Sequence, residues 1–128
     1  MTLSLVSLGL SALVFLAIGV AFLFWPVAMG RTVEIEVATP TALIDFRATY
    51  GGFVLAVGIF FAWCAAKPEW VKAGLAAQVL ILAGFGFTRG LGMLIAGSTR
   101  PLLVWLLVAE LVGTGLGLYC YLREGQGS

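Results

Sequence analysis

The stretch LSLVSLGLSALVFLAIGVAFLFWPVAM, residues 3–29, carries no charged residue and decides the fold class. A helix needs about 20 consecutive apolar residues to cross the hydrocarbon core of a bilayer, and this stretch exceeds that length. A cleaved signal peptide is the alternative, but such a leader has a basic start and an apolar core of only about 7–15 residues. We therefore interpret residues 3–29 as a transmembrane helix of the mature protein.

Three further apolar stretches follow, over residues 42–66, 71–96 and 102–122. Pro68 and Pro101 separate them, because proline lacks an N–H group and disrupts a continuing helix. The sequence thus predicts an all-α, four-helix transmembrane bundle that forms a single integral membrane domain over residues 1–128. Its helices are expected at about 3–29, 42–66, 71–96 and 102–122.

The composition excludes most soluble functions. Of the 128 residues, 62% are hydrophobic and 10% are charged, with a net charge of +1, whereas a soluble domain has about 25% charged residues. No basic surface is indicated for nucleic acid, and the sequence lacks histidine, the commonest metal ligand and general base. Cys64 and Cys120 are far apart and lack CxxC spacing, so no zinc or thioredoxin-like motif is indicated. We expect no cofactor and no metal.

The connection between the first two helices contains TVEIEV, residues 32–37, in which apolar and acidic side chains alternate. Such alternation is typical of a strand. An isolated strand or hairpin within one short connection is only marginally stable, however. The sequence therefore leaves two alternatives for this segment, a short interfacial hairpin and a plain solvated loop.

Four spans place both termini on the same side of the membrane. Positively charged loops favour the cytoplasm, and this bias sets the orientation of membrane proteins. The termini side holds Lys67, Lys72 and Arg123, and the opposite side holds Arg31 and Arg100. Arg47 would level this count if it were treated as a loop residue. We expect a multi-pass protein of the cell inner membrane with cytoplasmic termini.

Arg47, Arg89 and Glu110 lie inside the apolar stretches and in the same half of the membrane, and Asp45 flanks Arg47. At about 1.5 Å per residue, Arg89 lies roughly 10 Å and Glu110 roughly 12 Å from the side that holds the first and third connections. A charge at the centre of a membrane helix costs about 2.5–3.5 kcal/mol on insertion scales, so such groups normally face the interior and pair. We therefore expect a polar cluster of Arg47, Arg89 and Glu110.

Several neighbours accompany this cluster. Tyr50 shares a helix face with Arg47, and Gln78 lies on the same face as Arg89 at about 20° from it, so that it could extend a polar track into the other membrane half. Glycines allow helices to approach closely, and the five expected to pack are Gly51, Gly86, Gly90, Gly113 and Gly117. The first helix carries three hydroxyl groups, which we interpret as packing residues because no base is available to activate them. These are Ser4, Ser7 and Ser11.

Three segments together resemble a known family, the small bacterial membrane proteins called domain of unknown function 4345. They are FRATYGGFVLAVGIFF (46–61), GFTRGLGM (86–93) and TRPLLVWLLVAELVGTGLGL (99–118). The family pattern has Arg followed by Tyr-Gly-Gly, then Arg-x-x-Gly, then a proline and a glutamate. Its counterparts here are Arg47, Tyr50, Gly51, Gly52, Arg89, Gly92, Pro101 and Glu110. Many members also have Asp-Gly before that proline, where this sequence has GSTRP. The resemblance covers nearly the whole chain and implies a four-helix membrane protein, but it implies no activity.

The charged cluster supports three functional hypotheses. In the first, the protein binds or moves a small anionic or amphipathic ligand, because arginines bind carboxylate and phosphate groups and Glu110 could orient them or take a proton. In the second, the protein is a structural or accessory subunit whose Arg–Glu pair only fixes helix packing. In the third, it is a small membrane enzyme acting on a lipid or isoprenoid with Glu110 as acid and base, which would require an apolar pocket reaching Glu110.

Size and composition also indicate the partners. A chain of 128 residues is too small to be a complete transporter, so we expect a homo-oligomer or a complex with a partner membrane subunit. The lipid bilayer is its medium, a small anionic or lipid-like molecule is the expected ligand, and nucleic acid is not expected as a partner.

Overall fold

The computed structural model describes residues 1–126, and these form five α-helices with no strand among them. In chain order the helices are α1 (Thr2–Phe24), α2 (Pro26–Thr32), α3 (Pro40–Ala66), α4 (Val71–Ala96) and α5 (Pro101–Gln126). A single 3₁₀ turn, Pro68–Trp70, leads into α4. Four of the helical segments are long and apolar enough to cross a membrane, namely Thr2–Phe24, Pro40–Ala66, Pro68–Ala96 and Pro101–Gln126. The predicted all-α fold class with four membrane-length helices is confirmed, and the protein is a membrane protein.

The first helix ends earlier than predicted. It stops at Phe24 rather than at residue 29, because Trp25 leaves helical geometry at φ −132° and ψ 55°. Pro26 causes this break, since its ring cannot fit inside a continuous helix. It instead opens α2 at the first helical position, where the missing N–H group is harmless.

The connection between α1 and α3 is a short helix followed by a loop, and the hairpin alternative is wrong. The Glu34 amide donates to Arg31 O (3.1 Å) and the Ile35 amide to Gly30 O (2.9 Å), which is a Schellman motif at the end of α2. In this motif Glu34 takes a left-handed conformation with φ 61°. The backbone therefore reverses in the middle of TVEIEV, and residues 32–37 cannot extend as one strand.

The helix α3 contains an irregular segment. It begins where the Thr39 side chain accepts a hydrogen bond from the Ala42 amide (3.1 Å), with Pro40 in the first turn. Its middle segment, Arg47–Phe53, is π-helical. Such wide turns are rare and occur frequently at functional sites. The segment coincides with the Arg and Tyr-Gly-Gly residues on which the family resemblance depends.

The chain divides into two compact units. One, the 9–63 unit, is Gly9–Trp63, and the other, the terminal unit, comprises Met1–Leu8 and the described residues from Cys64 onward. The expectation of a single domain stays a prediction.

Inside the 9–63 unit, α1 and α3 run antiparallel with their backbones in contact. Each of three contacts joins one glycine to one leucine. The contacts are three or four residues apart on α1 and equally far apart, in the opposite direction, on α3. The pairs are Leu16 with Gly58, Gly19 with Leu55, and Leu23 with Gly51. Any side chain on these glycines would overlap its partner: a Cβ on Gly19 would lie 2.6 Å from the Leu55 amide nitrogen, and one on Gly58 would lie 2.8 Å from that of Leu16.

Inside the terminal unit, α4 packs along α5, again antiparallel. The contact follows a row of residues four apart on α4, where a ridge of one helix meets small residues of the other. The row reads Gln78 against Gly117, Leu82 against Gly113, Gly86 against Glu110, and Gly90 against Leu107. This register brings Arg89 and Glu110 to the same level.

Candidate functional site

Arg89 and Glu110 form a two-point ion pair between α4 and α5. Arg89 Nε donates to Glu110 Oε1 at 2.5 Å, and Nη2 donates to Oε2 at 3.3 Å. Glu110 is buried, with 8% of its surface exposed. A planar guanidinium that meets a carboxylate in this side-by-side manner makes charge-assisted hydrogen bonds, which are stronger than neutral ones. The pair compensates both charges at once.

Glycines on α4 allow this pairing. A Cβ on Gly86 would lie 3.4 Å from the Cβ of Glu110, and one on Gly90 would lie 3.6 Å from Leu107 Cδ1. The helices are therefore close enough for Arg89 to reach the carboxylate from the edge of the contact. On α5, the Thr114 hydroxyl donates to the Glu110 carbonyl at 2.7 Å.

The guanidinium of Arg89 uses only one of its edges for Glu110. Within the terminal unit, whose described residues are 1–8 and 64–126, Nη1 has no hydrogen-bond acceptor. Within the same residues, no buried side-chain nitrogen or oxygen lacks a partner, so Nη1 must lie at the accessible surface. In agreement, 24% of the Arg89 side chain is exposed, against 10% of the Glu110 side chain. The Glu110 carboxylate is therefore largely enclosed, whereas the guanidinium of Arg89 has an accessible edge at Nη1, which we call its open edge.

A second buried polar group on α4 is Gln78, which is 1% exposed. Its Nε2 donates to Ser7 Oγ (2.8 Å) and to the Gly113 carbonyl (2.9 Å), and the Ser7 hydroxyl donates back to Oε1 (3.2 Å). Gly117 makes room for the amide, because a Cβ there would lie 2.9 Å from Nε2. Gln78 thus links the start of α1 to both α4 and α5.

The buried polar and charged residues that the structure describes all belong to the terminal unit: Ser4, Ser7, Gln78 and Glu110. Ser4 donates to Glu124 Oε1 at 2.7 Å. We predicted Ser4 and Ser7 as packing residues and did not predict their polar partners. The available signal was their spacing of three residues, which places two hydroxyl groups on one face of an otherwise apolar helix.

Arg47 and Tyr50 lie in the 9–63 unit. Arg47 is exposed and starts the π-helical segment, and within that unit its side chain has no hydrogen bond or ion pair. The Tyr50 ring stacks on Phe22, with centroids 5.4 Å apart, and packs against Phe46 at 4.7 Å. The expectation that Arg47 joins Arg89 and Glu110 would link the two units and stays a prediction.

The thiols and the surface clefts of the described residues can be placed relative to Glu110. No group of three His, Cys, Asp or Glu residues that could hold a metal ion occurs within residues 1–126. Cys64 and Cys120 are both buried free thiols. Two surface clefts, one bounded by Tyr119 and Glu124 and the other by Arg31, do not include Glu110. Neither cleft supplies the apolar pocket that the enzyme hypothesis requires.

Comparison with known proteins supports a family assignment only. No curated protein and no solved structure matches the chain. The sequence profile of one family, described as "Domain of unknown function (DUF4345)", matches residues 3–121, which is nearly the whole chain. This is the family that the Arg47, Arg89 and Glu110 segments resemble. The protein therefore belongs to the DUF4345 family of domains of unknown function.

Proposed function

We propose that this protein of the cell inner membrane binds, and as part of an assembly moves, a small anionic amphipathic molecule at Arg89. The observation that carries the proposal is the open edge of the guanidinium, whose Nη1 has no acceptor within the described terminal unit while Nε and Nη2 are held by Glu110. A guanidinium fixed in this way needs no rearrangement of its side chain to receive a ligand, because its orientation is already set.

The chemistry of the open edge favours an anion. Arginine stays protonated in proteins and presents paired N–H donors that match carboxylate and phosphate groups. A carboxylate or a phosphate is therefore the ligand group that fits Arg89 best.

The surroundings of Arg89 favour a ligand that is also apolar. Phe85, one turn before Arg89 on α4, is 43% exposed. A Cβ on Gly92, one turn after Arg89, would meet no atom of the described residues within 4 Å. An apolar chain can lie along this stripe while its charged head contacts Arg89, as in lipid-like molecules.

One observation favours a second candidate, a purely structural role. The pair is bidentate, and the Cβ of Glu110 lies against Gly86 within the α4–α5 contact. A buried ion pair of this kind can serve to fix register between helices. In that case the protein would be an accessory subunit, and the open edge of Arg89 would face lipid tails or a partner chain.

We further propose that the chain acts as a homo-oligomer or with a partner membrane subunit. Four membrane-length helices are too few to enclose a transport path alone. The termini are proposed to lie in the cytoplasm, in accord with the distribution of lysine and arginine in the connections.

Native mass spectrometry of the protein purified in mild detergent tests the proposal. We expect a bound anionic amphiphile that is lost from Arg89→Gln and partly retained by Arg89→Lys. Lys67→Gln is the matched control, because it removes one positive charge from an exposed residue between α3 and α4. If folded Arg89→Gln retains the same bound species as the wild type, the ligand proposal is wrong and the structural role is favoured.

A further inference from the structure

We propose that an anionic ligand binds at Arg89 together with one proton, which Glu110 takes up. This inference depends on the proposed function and specifies how the same site is regulated. The observation behind it is that one carboxylate already neutralises the guanidinium on which the ligand is to bind.

The charged groups around Glu110 can be counted helix by helix in the terminal unit. Arg89 is the cation that α4 brings to Glu110. The other cation of α4, Lys72, lies at the opposite end of the helix, with Nζ 5.0 Å from the centre of the Tyr121 ring. On α5, the next charged residues are Arg123 and Glu124, more than three helical turns away in sequence.

The start of α1 adds no charge near Glu110. Its buried polar side chains are the neutral Ser4 and Ser7, and the amino group of Met1 lies 3.2 Å from Glu124 Oε1. In the 9–63 unit, the charged residues of α3 are Asp45 and Arg47. Within the terminal unit, Arg89 is thus the cation in contact with Glu110, and Arg100 lies in the α4–α5 connection, before the start of α5.

Binding of an anion changes the net charge of the site. The Arg89–Glu110 pair is neutral, and an added anion would give the site one uncompensated negative charge. An unpaired charge in a weakly polar interior is strongly unfavourable. If Glu110 takes a proton, the site contains one cation and one anion again, and its net charge returns to zero.

The step is a simple proton transfer. A proton from solvent forms an O–H bond on one carboxylate oxygen of Glu110, and the ionic bond between that carboxylate and Arg89 is lost. The ligand anion replaces it as the counter-ion of the guanidinium. The neutral carboxyl group keeps an acceptor oxygen that can stay hydrogen-bonded to Arg89, and it gains a donor that can hydrogen-bond to the ligand at the open edge.

Calorimetry tests this coupling with decyl sulfonate, an anionic amphiphile that takes up no proton itself near neutral pH. The purified full-length protein is titrated in two buffers that differ in their heat of ionisation. We expect uptake of about one proton per bound sulfonate, and an affinity that falls as the pH rises because binding takes up a proton. Glu110→Gln should bind the sulfonate without proton uptake and with little pH dependence.

A second measurement covers the case in which Glu110→Gln does not fold. Infrared difference spectra of the wild-type protein should show a new carboxylic-acid C=O band when decyl sulfonate is added, and that band should shift in D₂O. Sulfonate binding without proton uptake and without this band would overturn the inference while leaving the proposed function intact. Failure of wild-type protein to bind the sulfonate at any pH would overturn the proposed function.

Discussion

Gly19 lies so close to Leu55 that a Cβ on the glycine would come within 2.6 Å of the Leu55 amide nitrogen. The backbones of α1 and α3 touch there, and neither can move aside without disturbing its whole helix. We therefore expect Gly19→Ala to destabilise the protein by about 1–3 kcal/mol, as overpacking does in tight cores.

Thermal unfolding in detergent measures this effect, with Gly9→Ala as the matched control. Gly9 is on the same helix, and a Cβ there would meet no atom of the described residues within 4 Å. Alanine is also the better helix former, so Gly9→Ala should leave the unfolding temperature unchanged or raise it slightly. Equal effects of the two substitutions would contradict the close contact at Gly19.

The Arg89–Glu110 pair should contribute to stability as a unit. Arg89→Gln or Glu110→Gln alone leaves one charge unpaired inside the helix pair, and we expect each to cost about 2–3 kcal/mol. The double substitution should cost less than the sum, because the second change removes the unpaired charge left by the first.

A double-mutant cycle of SDS-induced unfolding measures this coupling. Strict additivity of the two single effects would show that the ion pair does not stabilise the α4–α5 contact. The pair would then have to be retained for another purpose, such as binding a ligand.

Ser7 is expected to stabilise the protein through its hydrogen bonds to Gln78. The Ser7 hydroxyl exchanges two hydrogen bonds with the buried Gln78 amide, and Ser7→Ala leaves one donor and one acceptor of that amide unsatisfied. An unsatisfied buried polar group costs about 1–3 kcal/mol. Ser11→Ala is the control, because Ser11 is on the same helix and has no side-chain hydrogen bond within the described chain.

Adding Gln78→Leu to Ser7→Ala tests the mechanism. The leucine removes the amide that Ser7→Ala leaves unpaired, so the second change should cost less in the Ser7→Ala background than in the wild type. The cost of Gln78→Leu in each of the two backgrounds is measured from unfolding temperatures in the same detergent.

The four membrane-length helices could be predicted because the bilayer imposes a simple rule of length and polarity on each segment. The contact between Arg89 and Glu110 could also be predicted, since α4 and α5 are consecutive and antiparallel, whereas their depth in the membrane stays a prediction. Both inferences use only residue counting along one helix or across one short connection.

Other features could not be predicted because they depend on contacts between distant segments. The pairing of Ser7 with Gln78 requires the register of α1 against α4. The π-helical segment of α3 includes Gly51, which packs against Leu23 of α1. The end of α1, in contrast, could have been predicted from the sequence, because Pro26 disfavours a continuous helix. The apolar composition of residues 25–29 instead favoured the prediction of a longer helix.

Glu34 occupies a position that glycine normally fills. It has φ 61° at the left-handed residue of the Schellman motif that ends α2, and this conformation costs an ordinary L-residue about 1–2 kcal/mol. Its negative charge also lies next to the C-terminus of a helix, where the helix dipole disfavours anions. We therefore expect Glu34→Gly to raise stability by about 1 kcal/mol, measured as an increase in the thermal unfolding temperature.

Glu36→Gly is the control: it removes the same charge from the same loop at a residue without positive φ, where the extra freedom of glycine in the unfolded chain should lower stability. Stabilisation by both substitutions to the same extent would mean that charge alone, and not backbone strain at Glu34, is responsible.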